Sequence, residues 1–224
     1  MKPREVIAQT TSCSSSPLLL VKHDGRLFLE NDGSQVDASH LGHSARETIG
    51  MMCRPFRPAR QPRMVFLGLG FGHAVEAARQ ALPQEKSSFV ILPESSELPT
   101  LLSSHLESDP LDDSRVLIDN LSPFALLGAD YDGTQGIFLD HDQLASLAPG
   151  NWSITYPCVL ANYHERLKVG GLLGVLSNRP VQGLEKELRK NGFDIATDLI
   201  PFSEKSKKNR TLYLARKGHY QRSH

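Results

Sequence analysis

The sequence predicts an α/β protein with a seven-stranded, mostly parallel sheet and a small N-terminal β-domain. After Met64, short apolar runs alternate with segments in which apolar residues recur at helical spacing. This pattern is typical of buried parallel strands that alternate with covering helices. Before Met64, Asp24-Gly25 and Asp32-Gly33 separate short apolar runs, and such dipeptides supply the positive φ of hairpin turns. The N-terminal part is therefore expected to form antiparallel hairpins.

Composition narrows the class of protein. The chain has 224 residues, and Lys+Arg and Asp+Glu are both 25, so no basic excess suggests nucleic-acid binding. Cys13, Cys53 and Cys158 are far apart and form no CxxC pair, which disfavours a disulfide framework or a cysteine zinc site. The apolar run at 18–21 is too short for a secretory signal, and no stretch reaches the roughly 20 residues of a membrane helix. We expect a cytoplasmic protein without a membrane or nucleic-acid partner.

Five regions are expected along the chain. Residues 1–16 are polar and rich in Ser and Thr, which predicts a flexible leader. Residues 17–53 form the small β-domain and a helix. Residues 54–63 hold three prolines and four arginines, and prolines at this density disfavour regular structure, so a linker is expected. The sheet domain covers 64–217, and 218–224 is expected to be a flexible tail.

The periodicity predicts the individual elements in order. In the N-terminal part, strands are expected at 18–21, 26–30 and 34–37, and a helix at 44–52. The strands expected in the sheet domain are 64–67, 89–92, 115–118, 136–139, 171–176, 193–200 and 211–215. The helices expected there are 74–82, 99–106, a single turn at 124–127, one within 154–167, and 181–190. The loop at 203–210 is too short for a crossover helix, so the last two strands are expected to pair as a hairpin. Its basic residues are expected to be a solvated turn: Lys205, Lys207, Lys208 and Arg210.

A glycine turn follows the first strand of the sheet domain. In Gly68-Leu69-Gly70-Phe71-Gly72, the glycines allow a sharp turn and a close approach of the backbone to a ligand. The spacing is GxGxG and not GxGxxG, which disfavours NAD, and no Walker A motif is present. We interpret the turn as a nucleoside- or nucleotide-binding turn. The alternative is a tight strand-to-helix turn without a ligand.

Acidic residues follow the next three strands. Glu94 follows the second strand, Asp119-Asn120 the third, and Asp140 and Asp142 the fourth. Ligands of open α/β sheets bind beyond the carboxyl ends of the strands, near the switch point of the topology. In an extended segment, two residues of separation would direct Asp140 and Asp142 to the same side. We therefore expect a polar ligand pocket at this edge.

The order and spacing of these motifs resemble a known family. From 64 to 217 the chain resembles the spermidine synthase-like branch of the class I S-adenosylmethionine-dependent transferases, which have a Rossmann-like sheet. The segments that carry the resemblance are 65–72, 115–120, 131–140 and 167–173, the last being similar to the family's L-K-P-G-G-x-L. Residues 25–35 are similar to the G-x-x-L-x-L-D-G-x-x-Q pattern of the family's N-terminal β-domain, with one residue extra.

The resemblance implies roles for several residues. Asp119 would hold the adenine amino group, since a carboxylate accepts from an N–H donor; the alternative is a cap for a helix at 120–127. Asp140, together with Asp142, would accept the proton of an attacking amine. Gln35 would reach over the pocket from the N-terminal domain. The glycines of the turn, Glu94 and Asn120 would complete the binding site for the co-substrate, S-adenosylmethionine or its decarboxylated form.

The chain also departs from the family's pattern. Leu92 stands where the family has its ribose-binding acid, and Glu94 would replace that acid from two residues later. The family's Tyr-His-Glu segment is replaced by residues 43–46, His-Ser-Ala-Arg. His40 and His43 have no third ligand at a suitable spacing, so no metal is expected.

Three functions follow from the resemblance. The favoured one is transfer of an aminopropyl group to a small-molecule amine. A methyltransferase with an unknown acceptor is the related alternative. The third is a non-catalytic protein that keeps the fold and a nucleoside site or a homodimer interface.

Overall fold

The N-terminal region forms a separate antiparallel sheet. The computed structural model describes residues 3–106, 108–150 and 152–218. Four strands lie in sequence order in this sheet: β1 (Glu5–Thr11), β2 (Pro17–His23), β3 (Arg26–Asn31) and β4 (Ser34–Ala38). Asp24-Gly25 and Asp32-Gly33 form the two expected turns, and all four residues have positive φ. The predicted hairpins are confirmed.

The main sheet has seven strands in the order β10-β11-β9-β8-β5-β6-β7. The strands are β5 (Arg63–Leu67), β6 (Ser88–Leu92), β7 (Val116–Ile118), β8 (Thr134–Asp140), β9 (Leu167–Ser177), β10 (Phe193–Pro201) and β11 (Asn209–Lys217). The helices are α1 (His43–Cys53), α2 (His73–Ala81), α3 (Leu98–His105), α4 (His141–Leu147), α5 (Pro157–Arg166) and α6 (Leu184–Lys190). Strands β5 to β9 are mutually parallel, and β11 is antiparallel to β9 and to β10.

The strand order places the switch point between β5 and β8. From β5 the chain moves outward through β6 to β7, then returns to β8 on the other side of β5. Loops that leave β5 and β8 therefore diverge, and a crevice opens at the carboxyl ends of these two strands. The glycine turn and Asp140 both lie at this crevice because each follows one of the two strands.

The central strands of the main sheet are buried on both faces. On β5, Met64 and Phe66 belong to one apolar cluster, while Val65 and Leu67 belong to another. Neighbouring side chains of a strand point to opposite faces, so the two clusters lie on opposite sides of the sheet. This burial explains why the strands are continuous apolar runs and not alternating ones.

Of two predictions about the first 63 residues, the leader is wrong and the linker holds in part, since residues 57–62 form no helix or strand. The expected leader at 1–16 contains β1, because its β-branched residues pair with β2 and Thr10 is buried against the main sheet. The expected linker at 54–63 begins as a short 3-10 helix, Arg54–Phe56. Pro55 lies at its start, where no N–H is needed, and Phe56 is buried in the core. The tail expected at 218–224 lies outside the described residues except for Gly218.

Two further differences affect the segments around β8. The helical turn expected at 124–127 does not form, and a 3-10 helix at Ala129–Tyr131 precedes β8 instead. Helix α4 begins directly after β8, where an extended loop was expected. In the described ranges, no helix is long and apolar enough to cross a membrane.

Candidate functional site

The glycine turn has a conformation that requires its glycines. Gly68, Gly70 and Gly72 have φ values of 95°, 52° and 79°. A side chain at these angles is strained, because its Cβ crowds the backbone. The turn then leads into α2, with Gly72 as the residue that caps the helix. The three glycines are thus explained by backbone geometry before any ligand is considered.

The backbone N–H groups of the turn bind a carboxylate of the chain itself. Glu94 accepts from the N–H of Leu69 through Oε2 at 2.8 Å and from the N–H of Gly70 through Oε1 at 3.0 Å. Glu94 is 1% exposed, and burial raises its pKa, with the charge of Asp140 adding to the effect. The residue expected to replace a ribose-binding acid is therefore bonded to the glycine turn.

A second carboxylate reaches the turn from the N-terminal sheet. Asp37, on β4, accepts from the N–H of Phe71 through Oδ2 at 2.9 Å and from the N–H of Ala38 through Oδ1 at 2.8 Å. A Cβ at Gly70 would collide with Asp37 Oδ2. The residue is partly buried, and the loss of solvent around its carboxyl group raises the pKa of Asp37 to about 7. The negative charges of Asp140 and Glu94 raise it further.

Sequence reasoning did not identify Asp37. It lies two residues after Gln35 on the same strand, and both residues line one cavity. The resemblance drew attention to Gln35 alone. The sequence signal that could have identified Asp37 is its position as an acidic residue between apolar neighbours in a short strand.

Asp140 is held by a buried arginine. Arg210 Nη2 lies 2.7 Å from Asp140 Oδ1, and both side chains are 8% exposed. The same nitrogen lies 3.4 Å from Oδ2 of Asp142, which also accepts from the N–H of Asn178 at 2.6 Å. Arg210 was expected in a solvated turn. It lies instead on β11, where pairing with β9 and β10 brings it to the end of β8.

The geometry expected for the aspartates after β8 is also wrong. Asp140 caps α4, with the N–H of Gln143 donating to its Oδ1 at 3.5 Å, and Asp142 lies in the first turn of that helix. The two residues therefore do not share an extended segment. Arg210 contacts both of them, so they nevertheless lie at one site. Their role in catalysis stays a prediction.

The acid after β7 is bonded to its own loop. Asp119 accepts from the N–H of Leu121 at 2.9 Å and from the hydroxyl of Tyr131 at 2.6 Å. The alternative role as a helix cap is wrong, because residues 120–127 form no helix. Burial raises the pKa of Tyr131, and the bond to the Asp119 carboxylate raises it further. Asn120 is exposed, and an adenine contact by either residue stays a prediction.

The N-terminal sheet also contacts the loop after β6. The N–H of Cys13 donates to the carbonyl oxygen of Glu94 at 2.7 Å, and the hydroxyls of Thr10 and Ser95 are 2.7 Å apart. Together with the bond from Phe71 to Asp37, these contacts fasten the N-terminal sheet over the carboxyl ends of β5 and β6.

Two small cavities meet at this place. A cavity of about 40 Å³, the glycine-turn cavity, is lined by Gly68, Phe138 and neighbouring residues. A cavity of about 120 Å³, the outer cavity, is lined by Gln35 and Asn178 among others. Asp37, Asp140 and Arg210 line both cavities. Sites for cofactor-sized ligands usually enclose about 300–1,000 Å³, and both cavities are smaller than that.

Two other observations concern the surroundings. A cavity of about 450 Å³ between the β2–β3 hairpin and the start of α2 contains none of the residues predicted for the site. Among the residues that the structure describes, no group of three or more His, Cys, Asp or Glu could hold a metal ion.

Comparisons with known proteins define the fold. No protein-family model matches the sequence, and no curated protein matches it. A probable spermidine synthase from Corynebacterium glutamicum aligns with 97% of this chain and 82% of its own, at 13% identity and a TM-score of 0.61. The spermidine synthase from Thermotoga maritima aligns with 95% of this chain and 73% of its own, at 15% identity and a TM-score of 0.68.

A methyltransferase matches a smaller part of the chain. The 1,6-didemethyltoxoflavin-N1-methyltransferase from Burkholderia thailandensis, with bound S-adenosylhomocysteine, covers 78% of this chain and 78% of its own, at 16% identity and a TM-score of 0.53. The chain therefore has the class I methyltransferase fold in its spermidine synthase-like form. The spermidine synthases match over nearly the whole chain.

Proposed function

We propose that the chain is a transferase that uses an adenosyl sulfonium co-substrate, and that aminopropyl transfer to an amine is the favoured reaction. The supporting observation is the convergence of Asp37, Glu94 and Asp140 on the glycine turn at the switch point of the sheet. Burial and mutual repulsion raise the pKa of Asp37 and of Glu94. Carboxylates in this situation are stabilised by a cation, and sulfonium and ammonium groups are both cations.

The hydrogen-bond acceptors of the site suit an adenosyl sulfonium group. Asp119 offers an acceptor for an adenine amino group, and Glu94 offers acceptors for ribose hydroxyls. The group, when bound, supplies a carbon activated by the neighbouring positive sulfur. The chain's own acids would attract the two cations, orient them and limit the access of water.

Ligand entry requires the site to open. The two small cavities are below the size of a nucleoside site, and Glu94 must release at least part of the glycine turn before it can bind a sugar. The contacts of Asp37 and Cys13 join the N-terminal sheet to this region. We therefore propose that a shift of the N-terminal sheet admits the co-substrate.

Methyl transfer is the second candidate because of Arg210. This buried guanidinium lines the glycine-turn cavity, and S-adenosylmethionine carries a carboxylate that its decarboxylated form lacks. An ion pair with that carboxylate would favour the methyl donor. The same arginine also supports a non-catalytic protein, because it occupies Asp140, the expected base.

Calorimetry with three ligands tests the proposal. S-adenosylmethionine and decarboxylated S-adenosylmethionine are cations at the sulfur, and 5′-methylthioadenosine is a neutral analogue. We expect Glu94→Gln to weaken binding of the two cations more than binding of the neutral analogue, because it removes a negative charge from the site. Glu85→Gln, which removes an exposed charge, is the matched control.

The products distinguish the candidates. Aminopropyl transfer predicts tighter binding of the decarboxylated form and an adduct of 1,4-diaminobutane that mass spectrometry detects. Tighter binding of S-adenosylmethionine would favour methyl transfer, and binding without any product would favour the non-catalytic protein. If none of the three ligands binds, the proposal is wrong.

A further inference from the structure

The predicted base, Asp140, already has a strong partner. Its Oδ1 accepts from Arg210 Nη2 at 2.7 Å, and both groups are almost completely buried. The same oxygen accepts from the N–H of Gln143, the third residue of α4, at 3.5 Å. Charge-assisted bonds of this kind are short and strong, and this one holds the Asp140 carboxylate in one orientation. Asp140 is therefore suited to joining β8, α4 and β11.

Asp37 has a different environment. It accepts from two backbone N–H groups, those of Phe71 and Ala38, and within the described ranges no Lys, Arg or His forms an ion pair with it. The carboxylates of Asp140 and Glu94 act on it electrostatically and raise its pKa. It lines both the glycine-turn cavity and the outer cavity, together with Arg210, and His73 lines the first of them. Arg210 is paired with Asp140 and Asp142, and among the described residues it forms no ion pair with Asp37.

We propose that Asp37 is the proton acceptor of the site and takes a proton from the ammonium group of the amine that enters the outer cavity. In this step one N–H bond of the ammonium breaks and an O–H bond forms on Asp37, which leaves a neutral amine. An amine must be neutral before its lone pair can attack a carbon. The assignment rests on the proposed transferase function, and it moves the base from the main sheet to the N-terminal sheet.

The protonation behaviour of Asp37 agrees with this role. General bases work best when their pKa lies near the working pH, and the pKa of Asp37 is raised to about 7. Burial opposes the ionisation of this carboxyl group, and the carboxylates of Asp140 and Glu94 oppose it further. An ammonium ion that binds beside it would lower that pKa and favour the carboxylate, which then accepts the proton before the neutral amine attacks.

Asp37→Asn is the direct test. An asparagine keeps the size of the side chain, and its carbonyl oxygen can still accept from the N–H of Phe71. The matched control is Asp32→Asn, which removes an exposed carboxylate from a turn of the same sheet, where Asn tolerates the positive φ. Thermal melts verify that both variants are folded. Asp37→Glu restores an ionisable group and distinguishes proton transfer from packing.

The first measurement is the affinity for 1,4-diaminobutane, with 5′-methylthioadenosine present, from pH 6 to pH 8. A group with a pKa near 7 is about one-tenth ionised at pH 6 and about nine-tenths at pH 8, so the wild type and Asp32→Asn should bind about tenfold more tightly at pH 8. The affinity of Asp37→Asn should be low and independent of pH in this range. Asp37→Glu should recover part of the pH dependence.

The second measurement is the rate of transfer. Asp37→Asn should reduce turnover about 10²- to 10⁴-fold, as the loss of a positioned general base does. If the wild type transfers a group and Asp37→Asn keeps the rate and the pH profile, Asp37 is not the base, while the transferase function stands. If the amine binds with the pH dependence of Asp37 but no group is transferred, the transferase function and the role of Asp37 as its base both fail, and Asp37 is the anion that binds the ammonium group. If the wild type binds no amine at any pH, both assignments fail.

Discussion

Replacing Arg210 by methionine is expected to destabilise the protein strongly. The change removes the cation that neutralises Asp140, whose side chain is 8% exposed, and leaves a buried charge without compensation. Breaking a buried ion pair from one side typically costs about 3–5 kcal/mol. Asp142 contributes less to this figure, because its side chain is 37% exposed and lies farther from the guanidinium, at 3.4 Å.

The cost is measured by thermal and denaturant unfolding at pH 7. For a chain of this length, about 3–5 kcal/mol corresponds to a decrease of about 6–20 °C in Tm. The control is Arg216→Met on the same strand, where the side chain is exposed, and it should change stability by no more than about 0.5 kcal/mol. The double variant Asp140→Asn/Arg210→Met should recover most of the loss, because no charge is left unpaired.

Two outcomes would refute this reasoning. One is a cost for Arg210→Met no larger than that for Arg216→Met, which would mean that water compensates Asp140 in solution. The other is a double variant no more stable than the single one, which would mean that Arg210 stabilises the fold by packing and not by its charge.

Two further predictions concern carboxylates of the site. Asp37→Asn should have a higher free energy of unfolding than the wild type. This difference should increase by about 1–3 kcal/mol between pH 5 and pH 7.5. The reason is that the raised pKa of Asp37 makes the folded wild type bind a proton more tightly than the unfolded chain, so the stability of the wild type falls from about pH 4 to pH 7. A difference in unfolding free energy between variant and wild type that is the same at all pH values would contradict this. Asp119→Ala should weaken the binding of an adenosyl ligand, measured by calorimetry, about 10- to 100-fold. It should also lower the free energy of unfolding by about 1–2 kcal/mol, because the buried hydroxyl of Tyr131 loses its acceptor. The sequence alone did not predict this loss of stability. An unchanged affinity would leave Asp119 as a structural residue of the loop.

The sequence predicted the centre of the sheet well because the central strands are buried on both faces. A strand such as β5, with all but its first residue buried, has no polar interruptions, and its apolar run is visible without any structure. The terminal hairpin was predictable from the length of one loop. In contrast, β1 is an edge strand of a sheet with one polar side, and its Thr and Gln residues concealed it among polar residues.

The site was predictable in its position and not in its contacts. Each strand end is found where the apolar run stops, so Glu94, Asp119 and Asp140 were identified from local sequence. Arg210 and Asp37 were missed because their partners are distant in sequence, 70 residues away for Asp140 and 34 residues away for Phe71. A basic residue beside Lys207 and Lys208 is indistinguishable from a solvated one until strand pairing places it.

The bonds between Glu94 and the glycine turn make this carboxylate an internal competitor of any ligand. A ligand that needs those N–H groups, or the carboxylate itself, binds only to the fraction of molecules in which the bonds are open, and its apparent affinity is reduced by that fraction. Each 1.4 kcal/mol in favour of the closed form weakens the observed binding about tenfold. Substitutions that loosen the N-terminal sheet would then tighten ligand binding while they lower the stability of the fold. The measured affinity of the wild type would combine the free energy of opening the site with that of the contacts between protein and ligand.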